Sequence, residues 1–487
     1  MTLPLPLGFV VELNFRTRVR DGGRTLIGGS PTRLLYLSRT AMKMLIGGRV
    51  TVTDPASAAL ADRLLETGIA DPVVDALPDL DPHLISWVIP VRDRPEGLDR
   101  LLASITANYP GARVVVVDDC SLDASATVRV SARHGAEAVL LPENLGVGGA
   151  RNMGLPKVTT PFVAFVDSDV VVGPATMQTM ARHFADPRVA VVAPRVVGLP
   201  SDRGSTWVNR YEDALSSLDL GSHPGTVRPR ATISWVSGTT LLCRVAALGD
   251  GFGAGMRAGE DVELVWRVAR EGWRVRYEPA ATVLHEHRTT TLAWMKRKAF
   301  YGTGAFPLGQ RHPESIAPAI LSPWSVGLVV ALGAQRRWSV PVAALLCLVT
   351  AVRIARKARN SDRPYLIAAE LTAYGAVTAI VQGMALLLRH WWPAVLLLAP
   401  FSKRLRRAIV AAHLADVAIE YARTKPRLDP FRFALARRLD DLSYGAGVWF
   451  AAIRGGSFRS LLPDFRGSSA RSKTMPARST GRASQGE

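Results

Sequence analysis

Residues 161–172 read PFVAFVDSDVVV, an apolar run from Phe162 to Val166 that ends in Asp167-Ser168-Asp169. The run predicts a buried strand, and residues two apart on an extended chain face the same side. Two carboxylates aimed together repel unless a cation lies between them. Open α/β sheets take their ligands outside the carboxyl ends of the strands. The chemistry that fits is a divalent-metal site that also holds a phosphate-bearing ligand. Asp and Ser are equally at home in turns, so the tripeptide alone decides little.

Two further acidic clusters stand in comparable places. Asp118-Asp119 closes the strand-like VVVVDDCSLD, and Glu260-Asp261 follows the glycines 253, 255 and 259 and opens an amphipathic helix. Each has an ordinary explanation. The first could be a turn with Ser121 capping the next helix, and acids at a helix start are stabilised by the dipole. Three such clusters in one domain favour chemistry. The loop PENLGVGGARNMGL resembles a dinucleotide loop, but Arg151 stands where the third glycine belongs and the loop follows the third strand. Both departures argue against a nicotinamide enzyme. The loop still suits a phosphate, through its backbone N–H groups and Arg151 near a helix start.

The elements that must position these groups alternate along residues 84–290. LISWVIPV, ARVVVVDD, AEAVLLPE, PFVAFVD and VAVVAP are strand-like, with helical spacing between them. The pattern predicts an α/β domain with a parallel, doubly wound sheet. A Gly-, Ser- and Pro-rich stretch at 198–230 reads as a mobile loop.

The motifs VIPVRDRPEGL, VVVVDDCSLD, PENLGVGGARNMGL, FVDSDV, SGTTLLCR and AGEDVELVWRVAREGWRV, in this order, resemble the family 2 glycosyltransferases. That resemblance covers residues 84–290 within a catalytic domain drawn at 84–300. It implies the nucleotide-diphosphosugar transferase (GT-A) fold and an inverting, metal-dependent transfer from a nucleotide sugar. It implies that Asp118 or Asp119 contacts the base, that Asp167 contacts the sugar nucleotide, and that Asp169 holds Mg²⁺ or Mn²⁺. It assigns the general base to Asp261 and the metal's imidazole to His285 or, second, His287. The QxxRW motif of processive synthases is absent, where the helix reads TTLAWMKRKAFYGTG. Long polymerisation is thereby disfavoured, and short oligomers stay possible.

Residues 1–80 read as a small module of strands and two helices, the second ending at Gly68, with a linker formed by Asp71-Pro72 and Pro78 to Pro82. The linker predicts a module that can be removed without unfolding the rest. LIGGSPTRLLYLS and ALADRLLETGIADP resemble the winged-helix, peptide-binding modules of ribosomal-peptide modification systems. Module, family 2 domain and apolar C-terminal region together resemble the mycofactocin biosynthesis glycosyltransferases. This implies UDP-glucose as donor, a peptide-derived redox cofactor or its precursor as acceptor, and a short β-linked glucose chain as product. The competing reading is a membrane transferase acting on a lipid-linked or cell-wall glycan.

Residues 316–460 change character. Four apolar runs, at 318–334, 338–352, 365–388 and 391–401, lie near Trp324, Trp338, Trp391 and Trp392. Basic residues follow the second run (353–363) and the fourth (403–407). The flanks predict a membrane-associated helical region with the catalytic domain on the cytoplasmic side. Arg336-Arg337 falls on the wrong side if all four runs cross. The other possibility is a buried helical bundle. The tail at 466–487 reads as basic and disordered.

Among the 487 residues, 48% are apolar and 21% charged, enough for a large core, and the net charge of +19 calls for a polyanionic partner. No aromatic-interleaved basic patch or helix-turn-helix pattern supports nucleic acid. Three separated cysteines, Cys120, Cys243 and Cys347, argue against structural zinc and for a reducing compartment. No basic segment followed by a long apolar core opens the chain, which predicts no signal peptide.

Overall fold

The computed structural model describes residues 4–200, 206–288 and 290–465. The expected disordered tail lies outside the described residues, as does part of the 198–230 stretch.

The strand Ile85–Val91 is buried along its whole length and lies between parallel neighbours, Arg113–Asp118 and Phe162–Val166. Glu137–Leu140 pairs beyond Arg113–Asp118, also in parallel. Val, Ile and Phe fill these strands because both faces of the sheet are covered by helices. Val91 stands opposite Asp118 in the register, so the carboxyl ends of these strands open on one side.

The sheet is mixed, which corrects the purely parallel expectation. Thr240–Arg244 runs antiparallel to Phe162–Val166, with Val166 opposite Thr240. Val189–Gly198 is antiparallel to Thr240–Arg244 and parallel to Arg274–His285. The reason lies in the route of the chain. After Gly198 it runs back along Arg274–His285 through Gly225–Val227 and re-enters the sheet beside Val166, so Thr240–Arg244 points the opposite way from its neighbours. A run such as TLLCR carries no mark of its direction. The 198–230 stretch also contains a helix, Trp207–Leu215, capped by the Thr206 side chain accepting from the Asn209 N–H.

The strand Val170–Val172 continues from the Asp167–Asp169 turn and pairs with the end of Arg274–His285, putting Val170 opposite His285. This pairing brings a histidine more than a hundred residues away in sequence to the acidic turn.

The N-terminal module has two three-stranded sheets. Its helix Pro55–Thr67 opens on a reciprocal Asp54–Ser57 capping box and closes on Gly68 at φ 68°. Asp71-Pro72, expected as linker, belongs to the strand Ala70–Pro72 paired with Val10–Leu13. The module is not loosely tethered either. Arg276, 1% exposed, donates to Asp71 at 2.6 Å, and Arg274, 5% exposed, donates to Asp62 at 2.7 Å. Arg274 also pairs with Asp186 at 2.6 Å and Arg276 donates to Thr226 at 2.7 Å, so each guanidinium bridges the module to the catalytic sheet.

The C-terminal region holds the helices Pro323–Ala334, Ser339–Lys357, Pro364–Ala385, Trp392–Leu398, Lys403–Thr424 and Pro430–Gly455. Among the described residues only Ser339–Lys357 and Pro364–His390 are long and apolar enough to cross a membrane. The first run folds into a helix of 12 residues, about 18 Å long, so four crossings are excluded. Pro430–Gly455 departs from the apolar grouping. It packs along Thr291–Thr303 so closely that a Cβ at Gly447 would lie 1.8 Å from the Ala299 carbonyl oxygen. It therefore belongs with the catalytic domain.

Candidate active site

Phe162–Val166 delivers Asp167 and Asp169 to the carboxyl side of the sheet, and both are tied down. The Asp167 N–H donates to the Thr239 carbonyl at 2.9 Å. Its carboxylate accepts from Arg151 at 2.6 Å. Asp169 accepts from Arg94 and lies 3.5 Å from the Nε2 of His285.

Arg151 sits in the sixth place of the helix Gly146–Gly154 and is 1% exposed. Its guanidinium donates to Asp167 and to the Gly238 carbonyl, lies 3.5 Å from Glu260, and stacks over Phe252. It is thus the buried counter-charge of the acids and is not presented to solvent as a phosphate-facing loop residue would be. Burial opposes its charge, and Asp167, Glu260 and Asp261 outweigh burial, so its pKa lies above the usual value. Burial also raises the Asp167 carboxyl despite Arg151, with Asp169 adding to the rise.

Glu260 and Asp261 begin the helix Glu260–Arg270 after Gly259, whose φ of 78° favours glycine. Asp261 accepts from the Gly238 N–H at 2.7 Å and the Val262 N–H at 2.8 Å. Gly238 is where Arg151 and Asp261 meet, its carbonyl accepting from one and its N–H donating to the other. A Cβ there would lie 2.9 Å from Arg151 and 3.0 Å from the Asp261 Cβ, so only glycine lets the two approach one backbone unit. Burial first, then the neighbouring Asp261, pushes the Glu260 carboxyl up to about 7.

The Asp118-Asp119 pair divides its work. Asp119 accepts from the N–H groups of Leu145 at 2.6 Å and Gly146 at 2.9 Å, which fastens the Gly-rich loop. Asp118 accepts from the Ser121 N–H at 2.7 Å, while its other oxygen is buried with no hydrogen-bond partner. The cap of the following helix is Asp123, not Ser121.

Of the two histidines, His285 lies at Asp169, and His287 lies 3.3 Å from Asp213 on the Trp207–Leu215 helix. Burial lowers the His287 pKa. The His285 Nδ1 is buried without a hydrogen-bond partner.

Two cations escaped the sequence reading. Arg94 directly precedes the helix Pro95–Asn108 within the quoted VIPVRDRPEGL, yet nothing in its spacing marks it as a partner of Asp169. Arg297 lies on the Thr291–Thr303 helix. Burial works against its charge, but Tyr301, Asp167 and Asp169 outweigh it and its pKa rises. Only the fold brings that helix over the acids.

Asp169 and His285 are an oxygen and a nitrogen donor within reach of one another. Among the described residues no group of three or more His, Cys, Asp or Glu is arranged to hold a metal. A two-donor set fits Mg²⁺ or Mn²⁺, which complete their shells with water and phosphate oxygens. It does not suit a closed structural zinc site.

The family described as Glycosyl transferase family 2 matches residues 86–250, which hold the acidic turn and the Gly-rich loop. A solved mannosyltransferase of Pyrobaculum calidifontis, in complex with GDP-Man and Mn²⁺, aligns over 63% of this chain and 89% of its own, at 20% identity and a TM-score of 0.37. An N-acetylglucosaminyltransferase of Rhizobium meliloti is 27% identical over 43% of this chain and 52% of its own. The Pre-mycofactocin glycosyltransferase of Mycobacterium tuberculosis is 38% identical over 475 residues, spanning 95% of this chain and 99% of the relative. A match of that length takes in the N-terminal module and the apolar helices as well as the catalytic domain, and the chain belongs to the pre-mycofactocin glycosyltransferase family, within glycosyl transferase family 2.

Proposed function

We propose that this chain transfers glucose from UDP-glucose, with inversion, to the peptide-derived redox cofactor mycofactocin or its precursor, building a short β-linked chain. The carrying observation is the 38% identity along 95% of the chain with a relative named for pre-mycofactocin. The peptide-binding reading of residues 1–80 supports a peptide-derived acceptor.

Asp118, with its unbonded buried oxygen, is assigned to the uracil base. Asp119 shapes the loop that borders the nucleotide. Asp167 is assigned to the sugar nucleotide, and Asp169 and His285 to Mg²⁺ or Mn²⁺. The bound cation would offset the diphosphate's charge. Arg94 and Arg297, which are only half-buried, supply further positive charge on the same side. Arg151 holds Asp167 in place from below.

Asp261 takes the proton of the attacking acceptor hydroxyl. The new bond forms at the anomeric carbon as the bond to the diphosphate oxygen breaks, and the electron pair leaves with UDP. The N–H groups of Gly238 and Val262 fix the orientation of the Asp261 carboxylate before the substrate arrives. Attack from the face opposite the leaving group inverts the anomeric centre.

The test is to incubate the purified chain with UDP-glucose and pre-mycofactocin, with Mn²⁺, Mg²⁺ or chelator. Mass spectrometry and anomeric coupling constants read the product. The expected result is metal-dependent addition of a few β-linked hexoses. Transfer only to a lipid-linked or cell-wall acceptor would overturn the acceptor assignment, and full activity in chelator would overturn the metal. We also place the protein at the cytoplasmic face of the membrane, where nucleotide sugars are available.

A further inference from the structure

The helices Ser339–Lys357 and Pro364–Ala385 have the length and hydropathy of membrane spans, but their surroundings oppose a crossing. The start of the second helix is fastened to the N-terminal module. Arg18 and Arg20 pair with Glu370 at 2.7 and 3.3 Å, and Ile27 packs on Ala358 and Ile367. Its other end is fastened to the catalytic side. Arg389 pairs with Asp441 at 2.9 Å, and the Trp449 indole donates to the His390 carbonyl at 2.6 Å. The module is bonded to the catalytic sheet through Arg274 and Arg276. Pro430–Gly455 is bonded to the same domain through Lys298. From Ile367 to Arg389 the helix rises about 33 Å, close to the ~30 Å of a hydrocarbon core. A crossing would put parts of one continuous soluble body on both faces of the bilayer.

The outer side of the same pair is apolar and open. Leu345 and Leu348 on the first helix, and Tyr374 and Val377 on the second, are each more than half exposed. Their spacing of three keeps each pair on one helix face. Exposed cations lie at both ends. Arg353, Arg356 and Lys357 mark one end, and Arg336, Lys403 and Arg407 the other. Gln335 donates to the Arg404 carbonyl at 2.8 Å, which joins the two segments of the second cluster. A spanning hairpin would send one basic cluster to the wrong side. A hairpin lying flat places both on the headgroups of one leaflet.

We infer that this chain is monotopic: the outer face of the 339–385 hairpin lies in one leaflet of an anionic bilayer, and the chain does not cross it. This rests on the membrane placement above. It also removes the misfit of Arg336-Arg337.

The experiment uses the full chain carrying Arg337→Cys or Asn360→Cys, at opposite ends of the first helix. Intact cells and sealed inverted membrane vesicles are treated with a membrane-impermeant maleimide, and peptide mapping reads each cysteine separately. Both positions should label in inverted vesicles and neither in intact cells, with half-exposed Cys120 marking the catalytic side. Labelling of the two positions from opposite sides would overturn the inference while leaving membrane placement intact. A chain wholly in the soluble fraction, or one whose apolar face is covered by a second copy, would overturn both, and glucose transfer would still be measurable. In flotation with the purified chain, phosphatidylglycerol vesicles should bind about tenfold better than phosphatidylcholine vesicles. The variant Lys403→Glu/Arg407→Glu should lose most of that preference. Equal binding to both lipids would overturn the anionic requirement.

Discussion

Arg151 and Lys298 are both cations buried to within 3% of full enclosure and faced by carboxylates, yet the two clusters around them are built differently. Around Lys298 the carboxylates come from two helices and meet their cations away from the strand ends, with the Asp440 Oδ1 left 3.6 Å from Arg389. Glu212 lies at 2.9 Å and Asp440 at 3.3 Å, and Asp440 also accepts from Tyr211. Burial opposes the Lys298 charge, and Asp440 and Glu212 outweigh it. Around Arg151 the network is unfinished. Its Nε and Nη1 have no hydrogen-bond partner, and the Asp118 Oδ2 nearby in the sheet is buried without one. Asp167 is still 28% exposed. The Lys298 cluster is sealed between helices, with Glu212 and Asp440 at most 10% exposed, whereas the Arg151 cluster lies at the ends of strands beside the partly exposed Asp167, where a ligand can reach it.

Substitutions in the two clusters test this contrast. The largest effect is expected from Asp261→Asn, which keeps the shape and removes the proton acceptor. Turnover should fall about 10²–10⁴-fold while calorimetry finds donor binding little changed. Unchanged turnover, or loss of donor binding alone, would make Asp261 a binding residue.

Lys298→Met should do the reverse. It leaves Glu212 buried without its cation and Asp440 with only the more distant Arg389, and should destabilise the fold by about 3–5 kcal/mol. Activity per folded molecule should be retained. A denaturant melt run beside the transfer assay separates the two, and a catalytic loss at full stability would refute the assignment of this cluster as structural.

His285→Ala and His287→Ala divide the two histidines. The first should raise the Mn²⁺ concentration needed for half-activation by about tenfold or more, and the second should change it little. An equal or reversed pattern would move the imidazole ligand to His287.

The smallest effect concerns pH. The Glu260 carboxyl is raised from 4.5 in the unfolded chain to about 7 in the fold. Between these values the folded state binds more protons, so stability falls as pH rises from 4.5 to about 7 and the contribution is gone above that. Glu260→Gln should flatten this slope in melts between pH 5 and 7. A slope equal to that of the natural chain would place the titration elsewhere.

Much of the catalytic domain was legible because local chemistry and tertiary demand agree there. Val and Ile runs ending in Asp mark buried strands with their carboxyl ends at a site, and Gly259 before Glu260 marks a helix start. The linker was misread because Asp71-Pro72 carries turn residues, although Asp71 is held in a strand by pairing with Val10–Leu13 and bonded to Arg276. Arg151 was read as facing a phosphate because a Gly-rich loop precedes it. Only packing against Phe252 and Gly238 reveals that it is sealed beneath the acids.

The strand–helix alternation, the acids at the strand ends and the apolar helices follow from local sequence, since each depends on residues near one another in the chain. Tertiary structure alone decided the direction of Thr240–Arg244, the meeting of Asp169 with Arg94 and His285, and the clamping of both ends of the apolar hairpin. Those outcomes depend on contacts between segments tens to hundreds of residues apart. No local pattern encodes them, because the same side chains would serve equally well facing another partner.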